Sequence, residues 1–482
     1  MQKVNKKYTT LDIKRKALKI NLNPELYGAF AEIGAGQEVA RAFFQAGGAS
    51  GTIAKSISAY DMAMSDSIYG KAPKRYVCMP RLEQMLDYEY SELTNTLEFM
   101  GDKKKFFVYA NTVEAINYSK TNKSHGWMGF RFQDEIGGAP NDVIIHVRML
   151  DNDNLTQQQA LGMLGVNLIY GCVYHRDDPN TLMHSLMDNI SYGRIQIDMI
   201  KMEGPAFEGV DNRLLSLYLV KNKFADAVMF NPEGHTVHPT EVLYKKDILA
   251  LRGRFRPVTH VHLDMLKNGL KMFEKDKKVD PSKIEVITEL TLKDLGGEEE
   301  INEKDFLDRV DILCALGQTV LISNFQEYYK LVKYLTRYNT GAQIGLVLGA
   351  NSLINIFNEK YYKKLNGELL EAFGYLFHKD LRLYLYPYKF GKELITSENM
   401  LIPEKYEHLY KFLIENKKVV DYKDYDEKIL HIFSHKVLDM IRDGDSTWEL
   451  LVPPVVKQII KDQHLFQYGK AAAAKKSSEQ LS

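Results

Sequence analysis

From about residue 226 onward, hydrophobic positions along the chain alternate between two rhythms. Short apolar runs rich in β-branched residues occur at 226–231 (DAVMFN), 248–253 (ILALRG), 284–290 (IEVITEL), 319–324 (TVLISN), 344–349 (IGLVLG) and 381–387 (LRLYLYP). Between them lie stretches with helical spacing. Phe306, Val310 and Leu313 share one face of 305–316, with Asn302 placed to cap it. Tyr328, Leu331, Val332 and Leu335 do the same in 325–337. Nearly continuous apolar strands, each followed by a helix, predict a parallel sheet covered on both faces.

Two earlier runs, 142–148 (DVIIHVR) and 195–202 (IQIDMIKM), bring the strand–helix units to eight, the number of a (β/α)8 barrel. The expected fold class is therefore α/β, with a parallel sheet and alternating helices. It is either (β/α)8-barrel-like or doubly wound, and it carries a helical N-terminal appendage. The expected divisions are a helical, glycine-rich region over 1–100, the α/β domain over 101–440, and a C-terminal helix with a disordered tail over 441–482. Gly296 and Gly297 with the three glutamates after them read as a solvated acidic connection, and the stretch from Gly469 as a frayed end.

Composition narrows the class. The 482 residues hold 63 basic and 63 acidic side chains, so the basic excess of a nucleic-acid or anionic-membrane binder is missing. The three cysteines, Cys78, Cys172 and Cys314, form neither a CxxC pair nor a disulfide framework, which fits a reducing compartment. There is no apolar signal core near the start and no apolar run of about 18 residues, so the expected address is cytoplasmic, without a membrane partner.

Glycine patterns near the N-terminus suggest cofactor chemistry. In EIGAGQEVA, from residue 32, Gly34 and Gly36 precede a helix with Val39, Phe43 and Ala46 on one face. Backbone amides so placed can approach a phosphate or ribose. The string resembles the first motif of S-adenosylmethionine-dependent methyltransferases and, in part, a dinucleotide-binding fingerprint, although Glu38 stands where a further glycine is expected. A methyltransferase or NAD(P)-dependent enzyme is therefore one alternative function. In GGASGTIAKS, from residue 47, Lys55 and Ser56 are candidates for a loop over an anion, with Gly51 four residues before the lysine rather than adjacent to it.

Histidines supply a second set. THVHLD, from Thr259, resembles the paired-histidine motif of amidohydrolase-type metal enzymes, but it opens a helix and no further strand end completes a ligand shell, so no metal site is assigned. MFNPEGHTVH, from Met229, resembles a shortened GxFxPxHxGH motif of nucleotidyltransferases, with Asn231 and His235 in the matching part. In that chemistry imidazoles and helix-end amides stabilise charge on the phosphates of ATP. Magnesium is the cofactor that a nucleotide substrate would bring.

Longer stretches extend the resemblance. GAFAEIGAGQEVARAFFQAGGASGTIAKSISAYD from Gly28, DNRLLSLYLVKN from Asp211 and GQTVLISNFQEYYKLVKYL from Gly317 resemble a bacterial and plastid family. Its members commonly carry the label nicotinate-nucleotide adenylyltransferase, or TonB-dependent receptor. The receptor label conflicts with the absence of alternating ten-residue strands. The resemblance carries a fold expectation; the leading functional expectation is an intracellular enzyme acting on a nucleotide or another phosphorylated small molecule, with nucleotidyl transfer as the specific version. The 29 tyrosines, among them Tyr328, Tyr329, Tyr361, Tyr362, Tyr384, Tyr386 and Tyr388, suggest a non-enzymatic scaffold as the other alternative. A homo-oligomer is compatible with either.

In a parallel sheet, ligands bind at the carboxyl ends of the strands. Those ends place Asn231, His235, Arg252, Arg254, Arg256, Glu289, Ser323, Asn324, Asn351, Ser352 and Lys389 around one anionic small-molecule ligand. Glu289 and His235 are the expected acid–base groups. RGRFRP, from Arg252, sets three guanidiniums just past one strand, a geometry suited to phosphate or carboxylate. A basic surface loop paired with acidic neighbours is the competing reading of the same string.

Overall fold

The computed structural model describes residues 8–72, 75–296, 301–339, 341–378 and 381–469. The chain divides into two compact units between Asp226 and Ala227. The expected acidic connection at 297–300 and most of the expected tail lie outside the described residues.

The first unit is built on a six-stranded sheet: β1 (Leu26–Gly34), β2 (Ile53–Ile57), β3 (Lys105–Glu114), β4 (His125–Gln133), β5 (Pro140–Met149) and β6 (Ile195–Glu203). Their order is β2-β1-β3-β4-β5-β6. β2, β1 and β3 run parallel, and the remaining pairs are antiparallel. Alternation along β1 serves two cores. Ala29, Ala31 and Ile33 pack with Leu82, Met85 and Leu86 of the helix Met79–Thr96. Phe30 points the other way and meets Phe43 of the helix Glu38–Ala46 and Tyr109 of β3. Its small residues and Gly28 give the segment weak β propensity. Burial on both faces overrides that preference.

The second unit carries β7 (Ala227–Phe230), β8 (Thr236–Val237), β9 (Asp247–Arg252), β10 (Ile284–Thr291), β11 (Thr319–Ser323), β12 (Ile344–Gly349), β13 (Arg382–Tyr386), the hairpin β14 (Tyr388–Phe390) with β15 (Glu393–Ile395), and β16 (Val419–Asp421). The main sheet has the order β16-β13-β12-β9-β10-β11-β7-β8. β9 to β13 and β16 are parallel, while β7 runs antiparallel to β11. Numbering the six parallel strands in chain order gives 3-2-1-4-5-6, the doubly wound arrangement. The helices His260–Glu274, Glu303–Ala315 and Tyr328–Tyr338 follow its first three strands.

Of the two arrangements expected, the doubly wound one is found, and the sheet does not close into a barrel: β8 and β16 are its free edges. Segments 142–148 and 195–202 are strands, but they pair antiparallel as β5 and β6 in the other sheet. The expected divisions near residues 100 and 440 also differ from the observed one. The first sheet takes β1 and β2 from before residue 100 and β3 to β6 from after it. Beyond residue 440, Trp448 is buried and the helix Pro454–Asp462 packs on Glu303–Ala315 of the second unit.

Four of the tyrosines that suggested a scaffold surface, Tyr329, Tyr362, Tyr384 and Tyr386, are core residues. No helix among the described residues is long and apolar enough to cross a membrane.

Candidate functional site

The doubly wound order fixes where a crevice opens. The chain leaves β9 towards β10 and β11, then returns to β12 on the other side of β9. Loops after β9 and β12 therefore part company at the carboxyl ends, and ligands bind in the gap they leave. A cavity of about 560 Å³ lies there, within the usual range for small-molecule sites. Arg252, Gly253 and Arg254 line it from the end of β9, Thr291 from the end of β10, Lys293 and Asp294 from the helical turn that follows, and Asn351, Ser352 and Asn355 from the helix after β12. Tyr328, Tyr361 and Tyr362 contribute aromatic surface, and His262 and His435 contribute imidazoles.

The three guanidiniums of RGRFRP have separate fates. Arg252 is fixed from below: its Nε and Nη2 donate to the two oxygens of Glu289 at 2.7 and 3.0 Å, and Nη1 donates to the Gln326 carbonyl at 3.1 Å. Its guanidinium also lies 4.3 Å from the centre of the Tyr328 ring. Burial works against the charge on Arg252, but the Glu289 carboxylate outweighs it and the pKa stands above the ordinary arginine value. Arg254 is 73% exposed, with Asp294 3.5 Å away, and is the guanidinium most open to a ligand. Arg256 turns away to Asp305, at 2.7 Å.

Glu289 is fully buried, and one of its oxygens also accepts from Ser323 Oγ at 2.6 Å. With both oxygens engaged, Glu289, expected as an acid–base group, holds Arg252 in place at the edge of the cavity. Ser323 belongs to the same buried network, and Asn324, next in the chain, is exposed.

Asn231 and His235 do not join this cluster. β7 is antiparallel to β11, with Phe230 opposite Val320 near the start of β11, so the carboxyl end of β7 lies at the amino ends of the parallel strands. There the Asn231 side chain accepts from the His235 backbone N–H at 2.8 Å and shapes the β7–β8 turn. Lys389 lies in the β14–β15 hairpin, 3.8 Å from Glu427.

In the first unit the glycines answer to the protein's own backbone. Gly34 has φ of +77°, and a Cβ there would lie 2.1 Å from the Val113 carbonyl oxygen. At Gly36 it would lie 2.0 Å from Asn111 Oδ1. Both glycines let the loop press onto β3, a packing reason for their positions. Lys55 is engaged by Glu89, at 2.5 Å, and by Glu92. Ser56 lines a shallow cavity of about 490 Å³ together with Glu32, Gln37 and Ser58. Glu32 is buried, and burial pushes its carboxyl up to about 8, although the Ala40 N–H donates to it at 3.3 Å.

The sequence reading missed Thr291, Lys293, Asn355 and the cavity-lining role of His262. Only the return of the chain to β12 brings Asn355, Tyr361 and Tyr362 opposite the end of β9. The signal for His262 was the Thr259 cap that starts its helix.

No protein-family model matches the chain, and no curated protein matches it. Among solved structures, the competence/damage inducible protein CihA from Agrobacterium tumefaciens is similar over 33% of this chain and 92% of its own, with 14% identity and a TM-score of 0.24. A competence-damaged protein (CinA) superfamily protein from Enterobacter cloacae is similar over 36% of this chain and 98% of its own, with 13% identity and a TM-score of 0.26. At these TM-scores the likeness leaves function to be read from the site itself.

Proposed function

We propose that the second unit binds a nucleotide or another phosphorylated small molecule in the crevice between the ends of β9 and β12, and acts on it there. The observation that carries this reading is the coincidence of the 3-2-1-4-5-6 strand order with a cavity at its switch point. Arg254 and Lys293 supply the positive charge, Asn351, Ser352 and Thr291 neutral donors, and the tyrosines a surface for a planar ring. The floor is rigid because Arg252 and Glu289 neutralise each other beneath it.

Nucleotidyl transfer with magnesium is the specific version to test. It must draw its groups from the cavity, since Asn231 and His235 stand at the opposite ends of the strands. Calorimetry of the full chain with AMP, ATP and NAD is the direct experiment. Binding by the parent and its loss in Arg254→Ala, Lys293→Ala support the reading. A parent that binds none of the three removes it. Pyrophosphate release from nicotinate mononucleotide, ATP and magnesium then decides the reaction.

A further inference from the structure

The helix His260–Glu274 begins at the cavity with Thr259 as its N-cap, and His262 occupies the third helical position. The Thr259 backbone N–H donates to His262 Nδ1 at 3.0 Å, and the Thr259 hydroxyl oxygen lies 3.0 Å from the same atom. The pair forms a reciprocal capping box in which histidine takes the place usually held by glutamate or glutamine. An imidazole nitrogen that accepts a backbone N–H carries no proton of its own, so the ring proton of the neutral form sits on Nε2. Protonating Nδ1 would set two N–H groups against each other and break the cap. The partial positive charge of the helix N-terminus opposes an imidazolium at the same place.

We propose that His262 serves the cavity as a permanently neutral hydrogen-bond donor, presenting Nε2–H to an acceptor oxygen of the bound phosphorylated ligand. The inference rests on the reading of the cavity given above. Nε2 has no protein partner among the described residues, and the residue lines the cavity. The ring lies 5.2 Å from that of Phe255, which limits its rotation. Burial lowers the imidazole to about 4, in agreement with the geometry. The other charged or titratable groups on the cavity wall are Arg252, Arg254, Lys293, Asp294, Glu327 and His435, with the phenols of Tyr328, Tyr361 and Tyr362. Arg254 and Lys293 already answer a full negative charge. A neutral donor suits an oxygen with only partial charge, such as a phosphoester or carbonyl oxygen, and asks for no counter-ion in return.

Two substitutions separate the roles of the ring nitrogens. His262→Asn keeps an acceptor near the position of Nδ1 and removes the donor near Nε2, whereas His262→Gln keeps both an acceptor able to complete the capping box and an amide donor. With AMP as the probe, His262→Asn should bind about 5- to 10-fold more weakly than the parent, while His262→Gln should stay closer to it. Two-dimensional NMR of the ¹⁵N-histidine-labelled full chain should show His262 as the Nε2–H form, without titration between pH 8 and 5. Its Nε2 signal should shift on addition of AMP. A ring that titrates between pH 6 and 7, or one protonated on Nδ1, overturns the proposal. So does His262→Asn binding AMP as tightly as the parent while Arg254→Ala does not, which leaves the cavity reading standing. If the parent takes up no AMP, the cavity reading fails and this proposal falls with it.

Discussion

Arg252 at the end of β9 and Glu289 in β10 form a two-point ion pair, 2.7 and 3.0 Å long, between neighbouring parallel strands. The register sets Glu289 opposite Arg252, so the pair is built into the pairing of the sheet. Removing one partner of such a pair leaves the other charge buried without compensation. Glu289→Ala should therefore cost about 3–5 kcal/mol in urea unfolding, because the stranded guanidinium outweighs the lost contact itself. A loss below about 1 kcal/mol would show that water reaches Arg252 and that the floor of the cavity is not closed.

Arg254 should behave in the opposite way. It is exposed and its ion pair is long, so Arg254→Ala should change stability by no more than about 0.5 kcal/mol. The same change should weaken binding of AMP or ATP by about tenfold or more, the scale of a charge-assisted hydrogen bond. Calorimetry beside an unfolding curve reads both quantities. Unchanged affinity would move the phosphate away from the loop after β9.

Glu32 gives the first unit a pH dependence of defined sign. Its carboxyl is raised from about 4.5 to about 8 by burial, so between those values the folded state holds a proton that the unfolded chain has released. Stability should be complete below pH 4.5 and fall as pH rises towards 8, by roughly a few kcal/mol. Glu32→Gln should flatten that slope and be the more stable form at pH 8. Urea midpoints of both proteins from pH 5 to 9 test it, and parallel curves would show that Glu32 is ionised throughout.

Gly34 and Gly36 separate packing from ligand binding. Gly36→Ala should cost about 1–3 kcal/mol, since its Cβ would meet Asn111 and the strand behind it cannot retreat freely. Gly34→Ala adds the strain of φ +77° to a contact with backbone. Thermal unfolding measures both. Variants as stable as the parent, with altered binding of S-adenosylmethionine or NAD(P), would restore a cofactor role to this loop.

The order of apolar runs in the second half was enough to place β7, five of the six parallel strands and the helices after the first three of these, because each is long, β-branched or strongly periodic, whereas the three-residue β16 was too short to read. Arg252, Arg254, Asn351 and Ser352 were legible for the same reason: they follow strand ends that the sequence marks clearly. The direction of β7 was not legible. A strand's apolar alternation is the same whichever way it runs, and only pairing with β11 turned Asn231 and His235 to the far side. The engagement of Glu289 was equally hidden, since its partners come from strands on either side, 37 residues before it and 34 after. Local composition determined which segments become strands and helices. Which strand lies beside which, and therefore which side chains share a cavity and which cancel each other's charge, was decided only by the tertiary structure, through hydrogen bonds and contacts between residues far apart in the chain.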